Sequence, residues 1–393
     1  MKRFKYLFVL LFALVVTSQI HAEDSAAWLR TRMSNALNPK ISLIGDFVYQ
    51  TGPKQQNDFS MREVELAIQS EIDPHTRADF YFALPNGESF ELEEGYLTLL
   101  SLPGGFQLRG GKFLPNFGRL NMIHTHELPF VDTPLAIEHF LGEEGLKDTG
   151  VEISRIFTPL GLFTETSYAF LNGIGAEEEP RELTTDFLDV NGSTVSVTVK
   201  EETEENKNRK LRDFAHVAKI RFFKDISENS NIDLGFSGAL YQPKDSDQTK
   251  LGSIDLTFRL KPAGQNSPQS LIWRTEALYS KKNLIETSDL LGNLSENKAE
   301  VERYAGYSYV EYQFAQRWKM GLRGDYLEDP NDRDELLVTR AVSPFLTFAS
   351  TEFSRYRIQY QYKHLPRGNA ESREHIGYLQ WTIVMGPHGA HPF

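Results

Sequence analysis

The sequence predicts an all-β protein: a transmembrane antiparallel β-barrel of about 16 strands, an even number as in bacterial outer-membrane barrels. Residues 355–363 read RYRIQYQYK, with Arg, Gln and Lys on one set of alternating positions and Tyr and Ile on the other. This two-residue period recurs in segments close to the ~9–11 residues that cross a bilayer at a tilt. Short turns also alternate with longer loops. These patterns favour a barrel whose polar face lines a wet interior and whose aromatic face meets lipid.

The N-terminus has the pattern of a secretory signal peptide, which we assign to residues 1–22. Three basic residues precede an apolar run at 6–16, and the polar stretch after it ends in Ala22. The run is shorter than the roughly 20 residues of a spanning helix, which argues against an uncleaved membrane anchor. Residues 23–393 are therefore expected to form a single barrel domain in the bacterial outer membrane.

Composition and motifs exclude several classes of protein. The formal net charge is −12, whereas nucleic-acid binding requires a basic surface. The chain has no cysteine, which excludes disulfides, thiol nucleophiles and cysteine-based zinc sites. Gly-x-Ser-x-Gly and His-Glu-x-x-His motifs are absent, so we expect neither enzymatic activity nor a cofactor. A hydrolase whose Ser and His meet only in the folded barrel is the remaining enzymatic alternative.

Alternation and turn chemistry predict the strands in order along the chain. They are expected at 41–51, 59–73, 76–85, 90–102, 106–114, 148–158, 162–172, 212–224, 230–242, 250–261, 270–281, 300–314, 317–327, 335–350, 352–364 and 374–386. Tight turns are predicted at 73–76, 103–105, 158–161, 315–316 and 349–351. With the mature N-terminus in the periplasm, the longer loops lie outside the cell. A soluble periplasmic β-sandwich, the alternative, has no reason to sort its connections in this way.

An Asn-Gly pair within residues 187–200 leaves open whether the barrel has about 16 or about 18 strands, because Asn-Gly between β-prone residues favours a hairpin. We expect this hairpin to project outward from the fourth outer loop. The barrel would then keep its lower strand number.

Charged side chains on the polar faces of the strands are candidates for the wall of a water-filled pore. Mixed charge on such a wall sets a transverse field and an ion preference, whereas mutual salt bridges that merely fill the lumen are the alternative. The candidates are Arg109, Lys219, Arg274, Arg323, Arg355, Arg357, Glu63, Glu65, Glu276 and Glu311. The expected partners are small hydrophilic solutes inside the barrel, and outer-membrane lipid and lipopolysaccharide around it.

The third outer loop, at 115–147, is long but rich in apolar residues. Such a loop is expected to pack against a surface rather than extend into water, and the barrel lumen is the nearest surface. We therefore expect an inward-folded loop that narrows the pore and brings acidic residues toward a basic wall. The candidate constriction residues are Arg119, Glu127, Asp132, Glu138, Glu143 and Glu144.

The stretches LRGGKFLPNFGRLN at 108–121 and GLKDTGVEIS at 145–154 resemble the phosphate-selective O/P-type porins of Gram-negative bacteria. The likeness lies in Gly-Lys-Phe and Pro-x-Phe-Gly signatures where a strand runs into a loop. It implies a barrel of the same strand number, a homotrimer, and a third loop that folds inward. The phosphate-selective porins line their constriction with Arg and Lys, whereas this loop is mainly acidic, so we do not extend phosphate selectivity to this chain.

Histidines in the third loop offer a different function. His124, His126 and His139 are candidate metal ligands because imidazole suits zinc, copper, iron and nickel, and His388 and His391 lie near the C-terminus. A His-x-His pair without a third ligand at a known spacing is a weak signal, and ordinary loop histidines are the simpler interpretation. A metal-binding or metal-uptake barrel is thus the alternative to a channel for passive diffusion of small hydrophilic solutes or ions.

Overall fold

A closed antiparallel barrel of sixteen strands accounts for most of the part of the chain that the structure describes. The structure, a computed structural model, describes residues 39–52, 55–85, 90–142, 144–174, 182–188, 194–200, 213–242, 248–261, 268–287, 296–328, 337–367 and 370–386. The predicted signal peptide, Glu143, His388 and His391 lie outside these residues. Both the all-β barrel and its predicted strand number are confirmed.

The strands follow the sequence closely because the alternation that predicts them is strong. They are β1 (Lys40–Gly52), β2 (Gln55–Asp73), β3 (Thr76–Pro85), β4 (Glu91–Leu102), β5 (Phe106–Phe113), β6 (Asp148–Phe157), β7 (Phe163–Leu171), β8 (Glu182–Leu188), β9 (Thr194–Lys200), β10 (Ala215–Ser227), β11 (Ser230–Tyr241), β12 (Thr249–Leu260), β13 (Ser270–Thr287), β14 (Glu296–Ala315), β15 (Trp318–Glu328), β16 (Val338–Thr351), β17 (Ser354–Arg367) and β18 (Ala370–Met385). Each barrel strand pairs with the barrel strands before and after it, and β1 pairs with β18 to close the ring.

Strands β8 and β9 form a separate two-stranded sheet. The predicted hairpin therefore exists and leaves the barrel at sixteen strands. The Asn-Gly pair and the direction in which the hairpin projects lie outside what the structure describes. The tight turns at 316–317 and 352–353 fall one to three residues later than predicted, because β14 and β16 continue to Ala315 and Thr351.

Side chains alternate between a buried and an exposed face along the strands. On β17, Arg357 and Gln359 are buried, whereas Tyr356 and Ile358 are exposed. In a closed barrel the buried positions are those that point toward the interior. The exposed face carries aromatic side chains, such as Trp381, which stacks on Tyr356 with ring centroids 5.8 Å apart. The barrel thus has the polar inner face and apolar outer face that the sequence predicts.

The connection between β5 and β6, residues 114–147, is called the β5–β6 segment below. It contains a single 3-10 turn (Thr125–Glu127) and the helix α1 (Leu135–Leu141). Among the described residues, no helix is both long and apolar enough to cross a membrane. The apolar side chains of the segment, including Phe117, Phe130 and Phe140, are buried and belong to one cluster with side chains from the buried faces of the strands.

Candidate functional site

Glycines make the start of the β5–β6 segment possible. Gly111 and Gly118 have φ angles of +140° and +55°, which side chains disfavour. A Cβ atom on Gly111 would lie 2.2 Å from the backbone oxygen of Gly95, and one on Gly118 would lie 2.0 Å from Glu276 Oε1. The Gly-Lys-Phe and Pro-x-Phe-Gly signatures therefore mark two places where backbone passes too close to the wall for any other residue.

Hydrogen bonds from the wall hold the residues that follow. Ser237 Oγ accepts from the Gly118 amide at 3.0 Å, and Lys219 Nζ donates to the Gly118 carbonyl. The Arg119 amide donates to Glu276 Oε2 at 3.2 Å, and the Arg119 guanidinium donates to Asp233 Oδ2 at 3.1 Å. Strands β10, β11 and β13 therefore all bind the first turn of the segment.

The base of the segment is closed by Asn121. Its amide nitrogen donates to the carbonyl oxygens of Pro115 at 3.0 Å and Leu146 at 2.9 Å, and its oxygen accepts from the Leu146 amide at 2.7 Å. Nearby, Arg109 donates to Glu152 Oε1 at 2.8 Å and to the Leu114 carbonyl at 3.1 Å. The candidate Arg109 thus fixes the point where the segment leaves β5.

The middle of the segment is bound by strands on the other side of the ring. Asp132 accepts hydrogen bonds from Arg323 on β15 and from Gln359 and Gln361 on β17. Arg357 Nη1 donates to the Phe130 carbonyl at 2.9 Å. Because β10 and β17 are far apart in the strand order, the segment makes contacts with the buried faces of strands across the barrel.

Two cavities lie on either side of the segment. One, of about 760 Å³, is bounded by the segment and by strand ends near the connections after β1, β3 and β17; we call it the loop-side cavity. The other, of about 870 Å³, is bounded by the segment and by strand ends near the turns after β10, β14 and β16; we call it the turn-side cavity.

The two cavities differ in charge. Seven carboxylates line the loop-side cavity, against Arg62, Lys147 and Lys363; they belong to Glu63, Glu91, Glu93, Asp132, Glu138, Glu144 and Glu374. Eight basic side chains line the turn-side cavity, against Glu127, Glu311 and Glu352; they are Arg119, Arg221, Arg259, Arg274, Arg317, Lys319, Arg355 and Arg357. Burial and the positive charge of Arg274 lower the pKa of Arg119 to about 10, which reflects this crowding of cations.

The predicted histidines separate into two groups. His124 and His126 are buried against β2, where their ring nitrogens lie within 4.8 Å of carboxylate oxygens of Glu63 and Glu65. Burial disfavours charge on His124, but Glu93 and Glu65 outweigh it and raise the pKa of His124 well above its usual value. The pKa of His126 is raised in the same way, against its burial, by Glu63 and Glu65. His139 is exposed on α1 and takes no part in this cluster.

The other predicted pore-lining and constriction residues differ in whether they hold the segment or line a cavity. Arg323, Lys219 and Glu276 are buried and hold the segment rather than facing open space. Arg357 also holds the segment, and it lines the turn-side cavity as well. Arg274, Arg355 and Glu311 line the turn-side cavity, and Glu138 and Glu144 line the loop-side cavity. Sequence reasoning missed Asn121, Asp233, Gln359 and Gln361, although the alternation in RYRIQYQYK already places both glutamines on the polar face.

The fold resembles those of outer-membrane porins and channels. The outer membrane channel DcaP of Acinetobacter baumannii has a TM-score of 0.54 at 12% identity, covering 88% of this chain and 96% of that one. An anion-selective porin from Comamonas acidovorans has a TM-score of 0.53 at 9% identity, covering 88% of this chain and all of that one. A loop L8 deletion mutant of OmpT, an outer membrane protein of Vibrio cholerae, has a TM-score of 0.54 at 8% identity, covering 88% and 100%.

Sequence comparison also identifies a distant relative. An uncharacterised protein of Aquifex aeolicus is 26% identical over 366 residues, which cover 86% of this chain and 71% of that protein. No family model matches the chain. The chain therefore has the barrel fold of outer-membrane porins, and a membership in the phosphate-selective type stays a prediction.

Proposed function

We propose that the protein is a channel through which small hydrophilic solutes or ions diffuse passively across the outer membrane, and that the β5–β6 segment narrows it. The observation that carries this proposal is the position of the segment between two polar cavities, of about 760 and 870 Å³. Cavities lined by many charged groups favour hydrated solutes. The porin-like fold also supports a channel rather than an enzyme.

The turn-side cavity gives the channel a preference for anions. Its eight basic side chains outnumber its three carboxylates. Arginines packed this closely repel one another, and an anion between them relieves that repulsion. A small anion in transit therefore gains favourable interactions in this cavity, whereas the acidic loop-side cavity disfavours its approach.

The exposed face supports a location in the outer membrane. Apolar side chains such as Trp273, Leu379 and Trp381 are exposed around the ring, which fits contact with lipid and lipopolysaccharide. The homotrimer implied by the sequence resemblance is also part of the proposal. The mass of the folded protein in detergent, measured by light scattering, tests it, because a trimer has three times the mass of the chain.

The function is tested by reconstituting the folded full-length chain in a planar lipid bilayer. We expect stepwise increases in current, and a reversal potential in a KCl gradient that indicates a preference for chloride. Folding is checked first, by the shift in electrophoretic mobility of the barrel on heating. A folded protein that gives no current steps would contradict the channel, and a protein that stays in solution without detergent would contradict the membrane barrel.

A further inference from the structure

Four side chains meet where the β5–β6 segment crosses strand β2. His124 and His126, on either side of Thr125, face Glu63 and Glu65, which are two residues apart and therefore on the same face of β2. His124 Nδ1 lies 2.7 Å from Glu65 Oε2. His126 Nδ1 lies 3.6 Å from Glu63 Oε2 and 4.0 Å from Glu65 Oε2. Two imidazole nitrogens and two carboxylate oxygens thus converge on one point.

These separations match the size of a metal site. In a tetrahedral zinc site with zinc–nitrogen bonds of about 2.0–2.1 Å, the ligand atoms lie roughly 3.3 Å from one another. The distances of 2.7, 3.6 and 4.0 Å lie on both sides of this value. All four ligand atoms lie within 4.8 Å of one another, so modest side-chain rotations would bring them to the spacing of a metal site.

The hydrogen bond of His124 on its other side orients the ring for a metal. Its Nε2 lies 2.9 Å from Glu94 Oε1 on β4. A neutral imidazole carries one N–H, so an Nε2–H that donates to Glu94 leaves a lone pair on Nδ1, directed at the Glu65 carboxylate. At 2.7 Å either a proton or a metal ion lies between these two atoms, and a metal ion bound there would replace the Nδ1 proton of a charged His124. A carboxylate that accepts from the distal nitrogen is the usual partner of a metal-bound histidine.

The excess of carboxylates in the cluster also favours the binding of a cation. Glu93 adds a further carboxylate, with Oε2 3.4 Å from His124 Nδ1. Oε1 of the fully buried Glu65 has no hydrogen-bond partner among the described residues. The cluster therefore holds four carboxylates, of Glu63, Glu65, Glu93 and Glu94, against two imidazoles, and a divalent ion would compensate the excess negative charge.

The geometry points to a binding site for a first-row divalent transition metal, with zinc as the ion that suits it, formed by Glu63, Glu65, His124 and His126. Imidazole nitrogens favour zinc over calcium and magnesium, which take oxygen ligands. Glu63 and His124 line the loop-side cavity, which gives the ion a route from the solvent. A bound ion would join the segment to β2, and so add an attachment to those that Asp132 makes with β15 and β17. This inference does not depend on the proposed channel function.

The test uses the full-length protein, folded in detergent, treated with EDTA and then dialysed against zinc chloride. Metal content by mass spectrometry is expected to be one zinc per chain, and a competing chromophoric chelator gives the dissociation constant. His126→Gln is expected to weaken zinc binding by at least about tenfold, since even the loss of a residue that supports a ligand costs 10–100-fold. His139→Gln, which changes an exposed histidine of the same segment, is the matched control and is expected to bind zinc like the wild type.

Cobalt separates the site from adventitious binding and needs no variant. Cobalt bound to the wild-type protein is expected to show the intense visible absorption of a four-coordinate ion, and excess zinc is expected to remove it. Less than one zinc per chain, equal affinity in wild type and His126→Gln, or a six-coordinate cobalt spectrum would each overturn the proposal and leave the cluster as protonated histidines paired with carboxylates. None of these measurements involves conductance, so a negative result for the metal site is distinguishable from a negative result for the proposed channel function.

Discussion

Arg323 on β15 binds Asp132 of the β5–β6 segment through two of its nitrogens: Nη1 donates to the Asp132 carbonyl at 2.8 Å and Nη2 donates to its carboxylate at 2.7 Å. The Arg323 side chain is fully buried, and its guanidinium also stacks over the Phe130 ring, 4.3 Å from the centroid. Removing one acidic partner of a buried cation is costly, because it leaves positive charge uncompensated in a low-dielectric environment. This pair is therefore a strong attachment of the segment to the wall.

Replacing Asp132 is expected to release the middle of the segment. Asp132→Ala removes the carboxylate that accepts from Arg323, Gln359 and Gln361, while the backbone carbonyl still accepts from Arg323. The loss of hydrogen bonds to a charged group costs about 1.5–3 kcal/mol each in local stability. Single-channel conductance is expected to rise and to fluctuate more. His139→Gln, at an exposed side chain of the same segment that lines neither cavity, is the control and is expected to conduct like the wild type.

Removing most of the segment tests whether it narrows the channel. A Gly-Gly link in place of residues 122–144 keeps Asn121, whose bonds to Pro115 and Leu146 close the base. The strand ladder does not depend on the segment for its hydrogen bonds, so the barrel is expected to fold. Conductance is expected to rise and ion selectivity to weaken. Unchanged conductance in the folded variant would show that the segment lies outside the conducting path.

Gly118→Ala is expected to disturb the attachment of the segment while leaving the barrel intact. The added Cβ would lie 2.0 Å from Glu276 Oε1, and the backbone φ of +55° is unfavourable for alanine. Glu276 also accepts from Ser253 and Tyr307, so its carboxylate has little freedom to move. We expect faster proteolysis within the segment, with heat-modifiable mobility retained. Gly142→Ala is a control, since φ is also positive there but a Cβ meets open space.

The fold was predictable because polar and apolar residues alternate along the strands of a barrel with a period of two. Arg357 and Gln359 alternate with Tyr356 and Ile358 on β17, and the structure buries the first pair and exposes the second. Strand ends were less predictable. Strand β13 continues to Thr287, beyond the predicted end at 281, and β14 begins at Glu296, before the predicted start at 300. Nothing in the local sequence fixes where a ladder stops, because the pairing partner decides it.

The site was predictable only in part. Polar residues on the inner face could be selected, but the partner of each depends on contacts between residues far apart in the chain. Arg323 and Asp132 are separated by 191 positions, and both were candidates without any indication that they pair. Likewise the His-x-His motif gained significance only when the fold placed Glu63 and Glu65 opposite it. The difference in charge between the two cavities arises from residues on many strands, so no single loop or strand reveals it.

A cation on the exposed face tests the contact with lipid. Ile358→Lys on β17 places a charge at a position that is 59% exposed on the apolar face. We expect the free energy of unfolding in a bilayer to fall by about 2–4 kcal/mol if the position lies near the midplane. Ile226→Lys is the matched control: Ile226 is equally apolar and 58% exposed, but it lies at the turn-side end of β10, where the cost falls to about 0–1 kcal/mol. Equal costs, measured by urea unfolding in lipid vesicles, would contradict the orientation of the barrel in the membrane.

Neutralising one arginine of the turn-side cavity tests its role in selectivity. Arg259 lines this cavity and lies 3.7 Å from Asp233 Oδ2, but Asp233 keeps Arg119 and Arg221 as partners when Arg259 is changed. Arg259→Gln is therefore expected to fold normally while it removes one positive charge from the path of an ion.

Because the attraction of the cavity for anions is the sum of its charges, the loss of Arg259 is expected to shift the reversal potential in a KCl gradient toward that of a cation-preferring pore. The shift is expected to shrink as the salt concentration rises, since screening weakens the field over the width of the cavity. Arg340→Gln on the exposed face of β16 removes the same charge away from both cavities and is expected to leave the reversal potential unchanged. An identical shift in both variants would mean that net charge, and not the turn-side cavity, sets the ion preference.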